Sequence, residues 1–320
     1  MHRLAALGVA LALAALADIP QPRADEYPSR PIRWIIGFPP GSAADITARL
    51  VGNEISKTLG QQVVIEARPG AGSSLAGEVV ARAAPDGYTL YMGTLSNVTN
   101  SAVQTNLRFD FIKDFAPILN LTGMPLILVA HPSVPANNVQ ELIALAKAKP
   151  GELAYGSVGA GTVGHLGMEL IAQRTGTKFV HVPYPGSPQQ STDLVAGRIS
   201  MALVVGSTVL PHVRAGRLKM LATCSSQRLA PDVPLVSESL VPGFDCAVWF
   251  GMVAPAGTPR PIIDKLAAAA NAALKVEEVH NKFKAGDFEP LGGDPDTFAK
   301  QIVSDTAKWM DAAKAAGLRN

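Results

Sequence analysis

The chain has 320 residues, 48% hydrophobic and 17% charged, which is more than one ordinary core serves and suits two domains. That balance excludes a disordered or fibrous chain. A net charge of +2, no block of clustered Lys and Arg, and an aromatic content of only 6% exclude a nucleic-acid stripe or a base-stacking platform.

The chain starts with a short positive segment, Met1-His2-Arg3, followed by an almost pure Ala, Leu, Val and Gly run from Leu4 to Leu16. Small residues at Ala15-Leu16-Ala17, and again at Ala24, suit a signal peptidase. Residues 1–24 therefore read as a secretory signal peptide cut after Ala17 or Ala24, too short for a membrane span. No later run of about eighteen apolar residues occurs, so the mature protein is expected to be soluble and exported.

The mature chain opens with a strand over 32–38, stopped by Pro39-Pro40-Gly41. A helix is expected from Ala43 to Leu59, with Ser42 as N-cap, Asp45 at the third position and Gly60 closing the end. A strand over 63–66 runs into the loop Arg68 to Ser74, then a helix over 75–83 and a strand over 88–93. Strands alternating with helices imply a parallel sheet with crossover helices. The pattern restarts with a strand over 126–129, a helix capped by Asn138 that ends near Ala148, and a strand over 153–155. The loop Gly156 to Thr162 leads into a helix over 165–174. Strands over 179–182, 199–205 and 218–223 follow, with a helix over 189–196 between the first two. The last stretch holds a strand over 248–254 and helices over 262–274 and 295–316, too few elements for a third domain. They are expected to return to the first one. This gives a discontinuous lobe of 25–123 with 248–320, an inserted lobe of 124–247, and two crossing strands as a hinge.

Two loops share a strand–turn–helix design: Phe38 to Asp45, and Tyr155 to His165. A helix N-terminus presents unpaired N–H groups and about half a positive charge. Glycine allows close approach of a ligand, and the hydroxyls of Ser42, Ser157 and Thr162 add donors. One such loop per lobe makes an anion clamp, whereas either alone is an ordinary capped turn. Asp45 has two readings, a helix cap or a ligand contact.

Enzyme readings fare worse. Gly159-Ala160-Gly161-Thr162-Val163-Gly164 has the GxGxxG form, but the next strand ends His181-Val182-Pro183-Tyr184 without the acid a dinucleotide site needs, so no nicotinamide cofactor is expected. Gly156-Ser157-Val158-Gly159 resembles a nucleophile elbow, but Tyr155 breaks GxSxG. No metal-ligand spacing occurs. Cys224 and Cys246 lie in no CxxC; export permits a disulfide, and two buried thiols are the alternative.

These same loops resemble the Bug-type receptors of tripartite tricarboxylate transporters. The segment 38–45 is similar to their FPPGGxxD signature. The likeness continues through 60–72, 85–90, Asp114-Phe115-Ala116-Pro117, 141–144, Tyr155-Gly156-Ser157, His165-Leu166, His181-Val182-Pro183-Tyr184, 215–218 and 254–259. It implies an α/β, type II-like periplasmic-binding-protein fold, each lobe a mainly parallel sheet flanked by helices with the ligand cleft between lobes. It also implies a monomer without catalysis or cofactor, which captures a small organic acid and delivers it to integral-membrane subunits. A sensor signalling to a membrane partner would bind in the same way. Carried over, Phe38, Gly41, Ser42, Ala43 and Asp45 line one wall, Ser157, Gly161, Thr162 and His165 the other, with Ser96 and Tyr184 as further contacts. Two positions depart from the family: Ser42 replaces the signature's second glycine, and Leu203-Val204-Val205 stands where Phe-Asp is common. Losing that acid removes a partner for a ligand amine or hydroxyl and favours an uncharged or aromatic carboxylate over an amino acid.

Overall fold

The buried apolar segments sort into two sheets in a computed structural model that describes residues 27–225, 229, 231–241, 244–315 and 317–318. The expected signal peptide lies outside the described residues. In the first sheet, β1 (Ile32–Ile36), β2 (Val63–Ala67), β3 (Thr89–Thr94), β4 (Phe115–Met124), β10 (Val248–Pro255) and β11 (Glu289–Pro290) are ordered β11-β4-β10-β3-β1-β2. In the second, β5 (Leu126–Ala130), β6 (Ala154–Ser157), β7 (Val180–Pro183), β8 (Met201–Val205) and β9 (Lys219–Cys224) are ordered β7-β6-β8-β5-β9. Apart from β11 the two sheets share one strand plan.

The helices in chain order are α1 (Ala43–Leu59), α2 (Ser74–Ala81), α3 (Leu95–Val103), α4 (Val139–Ala148), α5 (Val163–Thr175), α6 (Ser187–Val195), α7 (Gly206–Arg214), α8 (Val236–Ser239), α9 (Arg260–Lys275), α10 (Glu277–Ala285) and α11 (Pro295–Ala315). As expected, the C-terminal helices return to the first sheet: α9 packs on α1 and β4, and α11 packs on α3 and β4.

The central strands explain themselves by composition. In β1, Ile32, Trp34, Ile35 and Ile36 are all buried, and every residue of β5 and β8 is buried. Such continuous apolar runs belong to strands covered on both faces. Helix α1 has the bounds its caps dictate: Ser42 Oγ accepts the Asp45 N–H, and Gly60 closes the end in the left-handed region at φ 67°.

Both sheets are mixed, and in each of them four strands run the same way, as the expected mainly parallel sheets do. The triads β2-β1-β3 and β7-β6-β8 are parallel, whereas β10 runs against β3 and β4, and β5 runs against β8 and β9. The cause is the double crossing. A strand that enters a sheet from its neighbour must run away from the boundary, while β1, β3, β6 and β8 run toward it. The chain leaves the first sheet through β4, Pro125 and β5, and returns at β10, whose Val248 pairs with Met124. Pro125 has no N–H to continue a ladder across the junction. A Cys224–Cys246 disulfide ties the end of β9 to the segment that enters β10.

Candidate functional site

Because β1, β3, β6 and β8 end at the boundary, the helices that follow them begin there. On the first wall, Gly41 turns the chain in the left-handed region at φ 79°, and its N–H donates to Asp45 Oδ2 at 2.9 Å. Asp45 Oδ1 accepts from Arg49 Nε at 2.8 Å. The buried Asp45 carboxylate thus pins both the turn and the first two turns of α1. The N–H groups of Ala43 and Ala44, at the first two helical positions, have no partner within the helix. Beside them, α3 starts after Thr94, whose N–H donates to Asn97 Oδ1 at 2.9 Å, and Ser96 occupies its second position.

The second wall uses neutral groups. Gly161, at φ 82°, donates its N–H to His165 Nδ1 at 3.2 Å. Thr162 occupies the N-cap position of α5, and its hydroxyl donates to the Gly159 carbonyl at 2.7 Å rather than accepting from the helix. Behind the loop, Ser157 Oγ lies 2.6 Å from His181 Nε2. The His165 and His181 rings stand 4.2 Å apart, and Tyr155 stacks on His181 and donates to Glu169 at 2.6 Å. Burial holds His165 below the usual imidazole range. Burial, and then the neighbouring His165, bring His181 down to about 4.

The walls touch. Gln104 Nε2 donates to the Ala160 carbonyl at 3.4 Å, and the bare backbones of Gly72 and Gly159 meet so closely that a Cβ on Gly159 would lie 3.2 Å from Gly72 N. Between them lies a narrow cavity of about 50 Å³. Its polar lining comes largely from helix starts: Ser42, Ala43 and Ala44 of α1, Thr94, Leu95 and Ser96 of α3, Thr162, Val163 and Gly164 of α5, and Ser187 of α6. Its apolar lining is Phe38, Val158, Leu203, Val204 and Val205, together with Leu126, Val248 and Phe250 from the crossing strands. Among the described residues, no charged side chain lines it.

Of the residues expected from sequence, Phe38, Ser42, Ala43, Ser96 and Thr162 line this cavity. Gly41, Asp45, Ser157, Gly161 and His165 stand behind the lining and shape its loops. Tyr184 lies apart, its hydroxyl donating to Asp193 Oδ2 at 3.0 Å. Sequence reasoning missed Ala44, Thr94, Leu95, Val163 and Gly164, although extending each N-cap by two residues would have found most of them. It also missed Gln190, which lines the cavity from the second turn of α6.

Residues 47–318 match the TctC family, described as the tripartite tricarboxylate transporter family receptor. The chain belongs to this family. It is 33% identical over 320 residues to BugT of Bordetella pertussis, covering 99% of this chain and 98% of BugT. Two solved structures agree closely. One is Rpa4515 from R. palustris with adipate, 33% identical, covering 91% of this chain and 98% of that one at a TM-score of 0.86. The other is MatC from Rhodopseudomonas palustris with bound malate, 31% identical, covering 89% and 99% at a TM-score of 0.85. As a TctC receptor the protein is a solute-binding protein with the periplasmic-binding fold, and not an enzyme.

Proposed function

We propose that this TctC receptor works in the periplasm, where it holds a small organic carboxylate between two lobes and hands it to integral-membrane transporter subunits. The lobes are 25–123 with 248–320, and 124–247, and they part by bending at the two crossings. The observation that carries this reading is a cavity lined by the first turns of helices from both lobes and by no charged side chain. Each helix start offers unpaired N–H groups and about half a positive charge, so an anion is held without a counter-charge. Ser42, Ser96 and Ser187 add hydroxyls beside them, and Phe38, Leu126 and Phe250 cover a hydrocarbon body.

Thermal unfolding of the mature protein against a panel of acids tests this. Adipate and malate, held by two solved relatives, head the panel, followed by tricarboxylates, aromatic acids and amino acids. An acid present at a hundred times its Kd adds about 2.7 kcal/mol, a rise of several degrees in Tm. Stabilisation by one or a few carboxylates, with none by matched uncharged amides or alcohols, is the expected result. A flat response to every acid, from protein shown by native mass spectrometry to carry no retained ligand, overturns the reading.

A further inference from the structure

Gln190 is 1% exposed, and both ends of its amide are buried without a hydrogen-bond partner, the nitrogen and the oxygen alike. Its side chain lines the cavity. Its stem lies against the bare backbone of Gly156 in β6, where a Cβ would come within 3.0 Å of Gln190 Cγ and 3.2 Å of Nε2. The side chain is therefore fixed by packing against β6, and no group among the described residues satisfies its amide. A buried amide left in this state is costly, and a ligand that pairs it recovers that cost on binding.

The amide has two N–H donors and a carbonyl acceptor. A carboxylate accepts only, so it would satisfy the nitrogen and leave the Gln190 carbonyl facing a negative oxygen. A hydrocarbon would satisfy neither end. A neutral group that both gives and takes a hydrogen bond satisfies both, as a hydroxyl or a primary carboxamide does. The carboxylate itself is served elsewhere, by the helix starts at Ala43, Ser96 and Val163. We infer that Gln190 is a specificity-determining residue, selecting organic acids that carry a hydroxyl or carboxamide at a distance from the helix-bound carboxylate. This rests on the carboxylate reading above and narrows it.

The test is isothermal titration of the mature protein with matched acids: succinate against malate and succinamate, adipate against 3-hydroxyadipate and adipamate, and benzoate against 4-hydroxybenzoate and 4-carbamoylbenzoate. In at least one series the substituted acid should bind about tenfold or more tighter than its parent, and the preferred member tells hydroxyl from carboxamide. In Gln190→Met, which keeps the volume, that ratio should fall to about one. Without ligand the variant should melt at the same temperature or higher, since it loses an unpaired buried amide, whereas a structural glutamine would lower it. Parents binding as tightly as their substituted partners in every series, or a ratio that survives Gln190→Met, overturns the role of Gln190 and leaves the carboxylate reading standing. Failure of every acid in every series overturns both. Wild-type ratios of one in every series overturn the role of Gln190 even if the variant does not fold.

Discussion

Across the cavity, the Gly41 turn is held by a carboxylate and the Gly161 turn by an imidazole. Both brackets fix a left-handed glycine just before a helix start, and both accept one backbone N–H four residues upstream. Asp45 also pairs with Arg49, so its bracket is ionic, while His165 works only when Nδ1 carries no proton. The two sheets differ in a second respect, since both cysteines of the chain lie between the end of β9 and the start of β10 and form a disulfide there. One wall is thus tied by charge, and the other by neutral side chains and a covalent staple. The same strand plan tolerates either, because the shape of the turn matters to the site and the means of holding it does not.

Breaking the staple should have the largest effect. Replacing Cys224 and Cys246 together by Ser opens a loop with a sequence separation of 22 and should cost about 3 kcal/mol in urea unfolding. Hydrogen exchange should rise first in β9 and in the segment leading to β10, leaving β1 to β3 protected. Equal loss of protection in both lobes would show that they unfold as one unit and that the contrast has no energetic meaning.

Asp45→Asn comes next. It keeps an acceptor near Gly41 but removes the charge at the helix start and the pair with the half-exposed Arg49, so about 1 kcal/mol of stability should go. Affinity for an acid without an amine should change less than about threefold, because Asp45 stands behind the lining. A much larger loss of affinity would make Asp45 a ligand contact.

The smallest effect separates the two brackets by pH. Because burial keeps His165 and His181 neutral in the folded protein, the unfolded chain takes up protons first as pH falls. Their contribution is complete above about 6.5 and is lost progressively as pH drops toward the folded value of about 4 for His181. The imidazoles are faced by Tyr155, Ser157 and Glu169, and Glu169 partly opposes the shift. Between pH 7 and 5, His181→Asn should therefore lose less Tm than the wild type. Identical slopes would remove pH from the difference between the walls.

The sequence made some of this legible and hid the rest for physical reasons. Helix α1 was readable to the residue because Ser42 and Gly60 mark both ends in local chemistry. Helix α3 was not. Its apolar residues Leu95, Val98, Ala102 and Val103 fall at helical spacing, but the polar residues between them are buried by tertiary contacts that local sequence does not show, with Asn100 Nδ2 donating to the Gly72 carbonyl at 3.0 Å and to Ser74 Oγ at 3.0 Å. Strand β4 contains Pro117 and Gly123 and pairs with β10 through two register shifts, so no alternating pattern announced it. Helix α7 contains Pro211, which reads as a break. In the site, the two Gly-flanked caps stood out, and Leu203 to Val205 were noticed as unusual and do line the cavity. Gln190 sits in the run Pro188-Gln189-Gln190-Ser191, which looks like a solvated face. Only the bare strand residue Gly156, far away in sequence, makes room for it.

The lack of charge in the cavity bears on how long a guest stays. A buried arginine would have to lose its partner each time the solute left, stranding an ion in a poorly solvated place until water reached it. On the reading proposed above, each backbone N–H would trade one oxygen for another as water enters, and no ion would be left behind. Residence time would then follow the parting of the proposed lobes rather than rupture of an ionic bond.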